Sequence, residues 1–86
     1  MNNDQEAREE CRREVLNYLA NRPAVALSRD TIRRGLAREF DFEDAEILHA
    51  CAFLVSRGFA SEKHADLGAT RYYQISADGT LAHERA

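Results

Sequence analysis

The chain has 86 residues, 44% hydrophobic and 31% charged, with a formal net charge of −3. A chain of this length holds a single core and buries only about 60% of the surface its unfolded form exposes, so one small domain over residues 1–86 is expected, with its core over about residues 4–76 and frayed termini. No run approaches the roughly 18 uninterrupted apolar residues of a membrane span, and the start Met1-Asn2-Asn3-Asp4 lacks the basic and apolar regions of a signal peptide, so a cytoplasmic protein with no membrane partner is expected. The net acidity argues against purely electrostatic binding to nucleic acid.

The first periodic segment runs from about Asp4 to Asn21. Asn3 is its candidate cap, and Ala7, Cys11, Val15, Tyr18 and Leu19 fall near one helical face. Pro23 cannot continue that helix, and Ala24-Val25-Ala26-Leu27 reads as an extended link or a short edge strand. Ser28 caps a second helix, with Leu27 and Ile32 placed as a hydrophobic staple and Ile32, Leu36, Ala37 and Phe40 as its inward stripe. Gly35 in its interior marks either a close helix crossing or a tolerated weak point. Asp41 is the next candidate cap, with Glu43, Asp44 and Glu46 at the positive end of a third helix over about Phe42 to Arg57. Gly58 is placed to end it in the left-handed conformation.

Beyond Gly58 the period changes. Phe59 to His64 and Thr70 to Ser76 read as two strands of a hairpin around the turn residues Ala65 to Ala69, and Thr80 to His83 add a last helical turn.

The charge is unevenly placed. Residues 15–38 carry Arg22, Arg29, Arg33, Arg34 and Arg38 against Asp30 alone, and residues 39–46 carry five acids and no base. Arg29 and Arg33 are four apart, as are Arg34 and Arg38, which lines two rows along the second helix. These arginines suit either bidentate contact with phosphates or a solvated face paired with Asp30, Glu39 and the acids of residues 39–46. Lys63, His64 and Arg71 add dispersed bases on the hairpin.

Helix, extended link, helix, turn, helix and hairpin is the order of an α+β winged helix, a three-helix core with a C-terminal two-stranded β-hairpin wing. The segments Gly58-Phe59 and Tyr73-Gln74-Ile75-Ser76-Ala77-Asp78-Gly79 resemble the wing-ending pattern of the MarR, PadR and ArsR-like regulators, and the likeness covers roughly residues 10–82. The resemblance implies a small double-stranded-DNA-binding transcriptional regulator, and a single 86-residue module with few basic groups is expected to act as a dimer, since it needs a second copy for useful affinity and half-site spacing. Its contacts would be Arg29, Arg33, Arg34 and Arg38 on the second helix and Lys63 and Arg71 on the wing.

In that resemblance Ile47, Cys51 and Leu54 of the third helix face inward, and Asp44, Leu48, His49, Ala52 and Phe53 face DNA. An outward surface of Leu48, Ala52, Phe53 and Val55 has nothing to offer base edges, so the first helix, another subunit or a protein partner is expected to cover it. The alternative reading is accordingly a protein-interaction module that uses those four residues and binds no DNA. The scattered His49, His64 and His83, and a Cys51 to His64 spacing that matches only a fragment of a zinc-finger pattern, indicate no metal, no cofactor and no enzyme. Cys11 and Cys51 are expected as reduced thiols in the core.

Overall fold

A computed structural model describes residues 2–64 and 68–85. In chain order it contains α1 (Asn2–Ala20), β1 (Leu27–Ser28), α2 (Arg29–Leu36), α3 (Asp44–Ser56), β2 (Ala60–His64), β3 (Arg71–Ile75) and α4 (Ala77–Arg85). The strands form an antiparallel sheet in the order β1-β3-β2.

α1 contributes Cys11, Val15, Leu16 and Leu19 to the core. The helix already includes Asn2 and Asn3, so it starts ahead of the expected Asn3 cap, and Ala7 is exposed together with the rest of residues 4–10. The inward stripe is therefore one turn shorter than its periodicity implied.

Ser28 serves two elements at once. Its extended backbone (φ −74°, ψ 157°) pairs with Tyr72 in the sheet, while its Oγ accepts the Thr31 N–H at 3.2 Å and caps α2. Leu27 and Ile32, the two arms of the staple, are both buried. α2 ends at Leu36, where the Glu39 and Phe40 amides both donate to the Leu36 carbonyl. Ala37 is exposed, and Phe40 lies beyond the helix, stacked on Phe42 with ring centroids 5.2 Å apart. At Gly35 the helices cross closely: a β-carbon there would lie 2.2 Å from the Tyr18 hydroxyl oxygen.

Glu43, not Asp41, caps α3. Its N–H donates to Glu46 Oε1 at 3.0 Å, so the acids that begin this helix are used in part to satisfy its own backbone. The helix ends as expected at Gly58 (φ +77°): the Phe59 amide reaches back to the Leu54 carbonyl at 2.8 Å and the Gly58 amide to Val55 at 3.0 Å. Ile47, Ala50, Cys51 and Leu54 fill the centre of the core.

The two-strand wing gains a third strand from β1, and Tyr73 is buried while Tyr72 is only half-buried. Ala65, Asp66 and Leu67, the centre of the expected hairpin turn, lie outside the described residues. After Ile75 the chain forms nine residues of helix instead of one turn. Ser76 makes this possible: its Oγ accepts the Gly79 N–H at 3.0 Å and donates to the Gly58 carbonyl at 2.6 Å, which caps α4 and pins it to the end of α3. α4 then docks on α1, with His83 Nε2 and Asn17 Oδ1 2.9 Å apart. Three helices around one core with a β-hairpin wing make this an α+β winged helix.

Candidate nucleic-acid interface

Ile32 and Leu36 anchor α2 in the core, and at about 100° per residue its arginines must then diverge onto two flanks. On the flank facing α3, the Arg33 Nε forms an ion pair with Asp44 Oδ1 at 2.6 Å, and its Nη2 lies 3.4 Å from Asp30 Oδ1. Asp30 is also paired with Arg34, whose guanidinium is the leading cause of an Asp30 carboxyl pKa held below its ordinary value. Part of the basic row is thus neutralised within the chain, as a solvated, self-paired face would be.

Arg29 has no ion pair among the described residues. It opens onto a concavity between the start of α2, the middle of α3 and the start of β3, whose walls include Leu48, Thr70, Arg71 and Tyr73. On the wing, strand alternation places Arg71 and Tyr73 on one face with their partners His64 and Glu62, and puts Lys63 with Tyr72 on the other. The two wing bases therefore do not act together: Arg71 borders the concavity, whereas Lys63 lies on the opposite face and donates to Gln74 Oε1 at 2.8 Å. Glu62 restrains the inner pair, 3.8 Å from Arg71 and 3.5 Å from His64. Arg38 and Arg34 border a different hollow, shared with Tyr18 and Arg22 of the α1 end.

The apolar outer residues of α3 also separate. Leu48 faces the concavity beside Arg29, whereas Phe53 lies on the α1 flank, under the Arg12 guanidinium at 3.7 Å from the ring centroid. Val55 is half-buried against the core and Ala52 is exposed. Leu48, Ala52 and Val55, at i, i+4 and i+7, thus share one side of α3, and Phe53 stands apart from them on the α1 flank. The first helix covers Phe53, one of the possibilities open at the sequence level. The row most exposed to solvent is instead Ala45, His49, Ala52 and Ser56, a ridge of mostly short side chains. Its sequence signal was the i, i+4, i+7 spacing opposite the buried row, hidden by the larger Leu48 and Phe53 on either side.

Burial pushes the Cys11 and Cys51 thiols up to about 11 and about 12, so both are protonated core side chains at neutral pH. Among the described residues no group of His, Cys, Asp and Glu is placed to hold a metal ion, and no helix is long and apolar enough to cross a membrane.

No family model and no curated protein matches the chain. Solved structures do match. HOP2, described for its DNA recognition and protein interaction domains and its role in homologous DNA pairing, is 21% identical over 77% of this chain and 98% of the other, with a TM-score of 0.69. PerR from Streptococcus pyogenes, a peroxide-sensing gene regulator, is 27% identical with a TM-score of 0.66. The match takes in 74% of this chain and 44% of PerR, so the chain spans less than half of that regulator. A transcriptional regulator from Clostridium thermocellum, Cth-833, is 15% identical over 94% and 80% of the two chains, with a TM-score of 0.71. The chain carries the winged helix-turn-helix fold of these DNA-recognition and gene-regulation proteins.

Proposed function

We propose that the chain is a DNA-binding transcriptional regulator that seats a duplex against α3 and the concave side of the wing. The observation that carries this reading is the pair Arg29 and Arg71, which the β1–β3 register sets side by side on the concavity beside α3, with Arg29 in no ion pair among the described residues although Asp30 lines the same concavity. Both guanidiniums suit bidentate phosphate contact. The short ridge Ala45, His49, Ala52 and Ser56 lets the backbone of α3 approach a groove closely, with His49 as its hydrogen-bonding side chain and the Ser56 hydroxyl, which donates to the Phe53 carbonyl at 2.7 Å, as an acceptor. Few polar side chains for base edges and few free cations imply binding dominated by backbone contacts and shape, at an affinity for which two linked copies are needed.

The test is fluorescence anisotropy with a labelled duplex over a range of salt. Arg29→Ala and Arg71→Ala should each weaken binding and lower the slope of log affinity against log salt by about 1, and Arg13→Ala, at an exposed position of α1 beside Glu14, should leave both unchanged. Absence of saturable binding at low salt, or affinity indifferent to Arg29 and Arg71, overturns the reading.

The protein-interaction reading keeps one observation in its favour, since the same short ridge accommodates another helix as well as a DNA groove. Ala52→Arg separates the two. On DNA it adds a phosphate-seeking cation and tightens binding; in a protein interface it breaks close packing and dissolves the assembly, read by light scattering.

A further inference from the structure

The flank of α2 turned away from α3 carries a second basic feature that the DNA reading does not use. Tyr18 and Arg22, from the end of α1 and the residues just after it, line one hollow with Thr31, Arg34 and Gly35 of α2 and Arg38 just beyond it. Three guanidinium groups border this hollow in a chain whose net charge is −3, and among the described residues the only carboxylate paired with any of them is Asp30, on Arg34. Arg22 and Arg38 take part in no ion pair among the described residues.

The wall is also held in place. Arg22 lies over the Tyr18 ring, 3.8 Å from its centroid, and its Nη1 donates to the Tyr18 carbonyl at 3.4 Å. Stacking removes much of the rotamer freedom that a solvent-exposed arginine would otherwise lose on binding. The absence of a side chain at Gly35 brings the Tyr18 ring against α2, so that its hydroxyl borders the same hollow as the arginines. A rim of guanidiniums, of which Arg22 is held by stacking and Arg34 by Asp30, together with a phenolic hydroxyl matches the charge of a tetrahedral oxyanion.

We infer that the hollow between the end of α1 and the outer flank of α2 is a binding site for a phosphate group, separate from the α3 surface. Arg22 and Arg38 supply unpaired charge, Arg34 supplies a third cation tempered by Asp30, and Tyr18 supplies a neutral donor. The inference does not rest on DNA binding by α3, because its residues lie on the opposite flank of α2 from the Arg33–Asp44 ion pair and do not include Arg29 or Arg71. A simpler account competes with it: Arg22 and Arg38 each follow a helix C-terminus, where a cation favours the negative end of the dipole. That account requires no ligand, and the experiment separates the two.

Inorganic pyrophosphate is titrated into the full chain at constant ionic strength while arginine Nε–Hε resonances are followed by NMR. Saturable shifts are expected at Arg22 and Arg38, and they should persist in an Arg29→Ala, Arg71→Ala double variant. R38Q, at an exposed position outside every ion pair of the described residues, should keep the fold and weaken binding by about tenfold, the loss of one charge-assisted contact. R22Q should do the same, with an unchanged circular dichroism spectrum. A single-stranded oligonucleotide forms the second arm. If only the oligonucleotide gives saturable shifts at Arg22 and Arg38, the phosphate comes from a nucleic-acid backbone; if pyrophosphate also does, a free phosphorylated ligand suffices. Shifts that stay linear with both, that chloride reproduces, or that spread equally over all arginines overturn the inference and leave the helix-end account.

Discussion

A β-carbon on Gly79 would lie 1.9 Å from the Phe59 carbonyl oxygen and 2.8 Å from Ile75 Cγ1, so α4 touches the entrance of the wing backbone to backbone. The Ser76 N–H closes the same junction by donating to the Phe59 carbonyl at 3.0 Å. This contact explains in physical terms why a serine and a glycine three residues apart end the wing. Gly79→Ala should lower stability by about 2 kcal/mol, since the obstructing atoms are mostly backbone and cannot swing aside. Ser76→Ala should cost about 1 kcal/mol through loss of the cap. Urea denaturation reads both, and an unchanged midpoint for Gly79→Ala would mean that α4 does not dock there.

Phe53 is half-buried under Arg12, and that position makes it a structural residue of the monomer. Phe53→Ala should cost about 2 kcal/mol, roughly half the loss for a fully buried phenylalanine. Arg12→Ala should cost less, and a double-mutant cycle between them should return a coupling of about 0.5–1 kcal/mol. A Phe53→Asp chain that keeps its stability and loses only an assembly would contradict this placement and restore Phe53 to an interface.

Asp30 binds two arginines, and its carboxyl is held below the ordinary value of 3.8, chiefly by the hydrogen bond and charge of Arg34. A depressed folded-state pKa means that its contribution is present above the unfolded value and is lost as pH falls below 3.8 through the folded value. Asp30→Asn should therefore lower stability above that pH and flatten the acid limb, with the difference from the parent chain vanishing as pH falls through the folded value. The same substitution frees Arg34, so pyrophosphate affinity at neutral pH should rise.

The thiols give the opposite limb. Cys11 and Cys51 are lifted from an ordinary value of 9.0 to about 11 and about 12, in both cases chiefly by burial. The unfolded chain releases these protons at lower pH than the folded chain, so stability should fall as pH rises from about 9 toward 12. At pH 8 a disulfide reagent should modify both cysteines rapidly in urea and only slowly in the folded protein, at a rate set by opening of the core. Rapid modification without urea would mean that the α1–α3 contact opens readily.

Much of the fold was legible in one dimension, because local chemistry sets it. Ser28 before Ile32, Gly58 after Arg57, and the four- and three-residue spacing of Ile47, Cys51 and Leu54 each specify a start, a stop or an inward face through hydrogen bonds and periods that span less than two helical turns. Boundaries were less secure where two neighbours compete for one role. Glu43 replaced Asp41 as the cap of α3 because Glu46 lies where it can accept the Glu43 amide. α4 outgrew its expected single turn because the Gly58 carbonyl, eighteen residues away, holds the Ser76 hydroxyl.

The residue types of the candidate sites were also visible in the sequence: arginines in two rows on α2, bases on the wing and small or apolar residues on α3. Which of them act together was decided only by the tertiary structure. Sequence spacing places side chains around one helix axis, but a charge is free or neutralised according to what a different element brings beside it. Asp44 takes Arg33, Glu62 restrains Arg71, Arg12 covers Phe53, and Tyr18 with Arg22 turns the far side of α2 into a separate hollow. Ion pairs and stacking act over a few ångströms regardless of separation along the chain, and so the functional grouping of these arginines belongs to the packed molecule and not to the order of its residues.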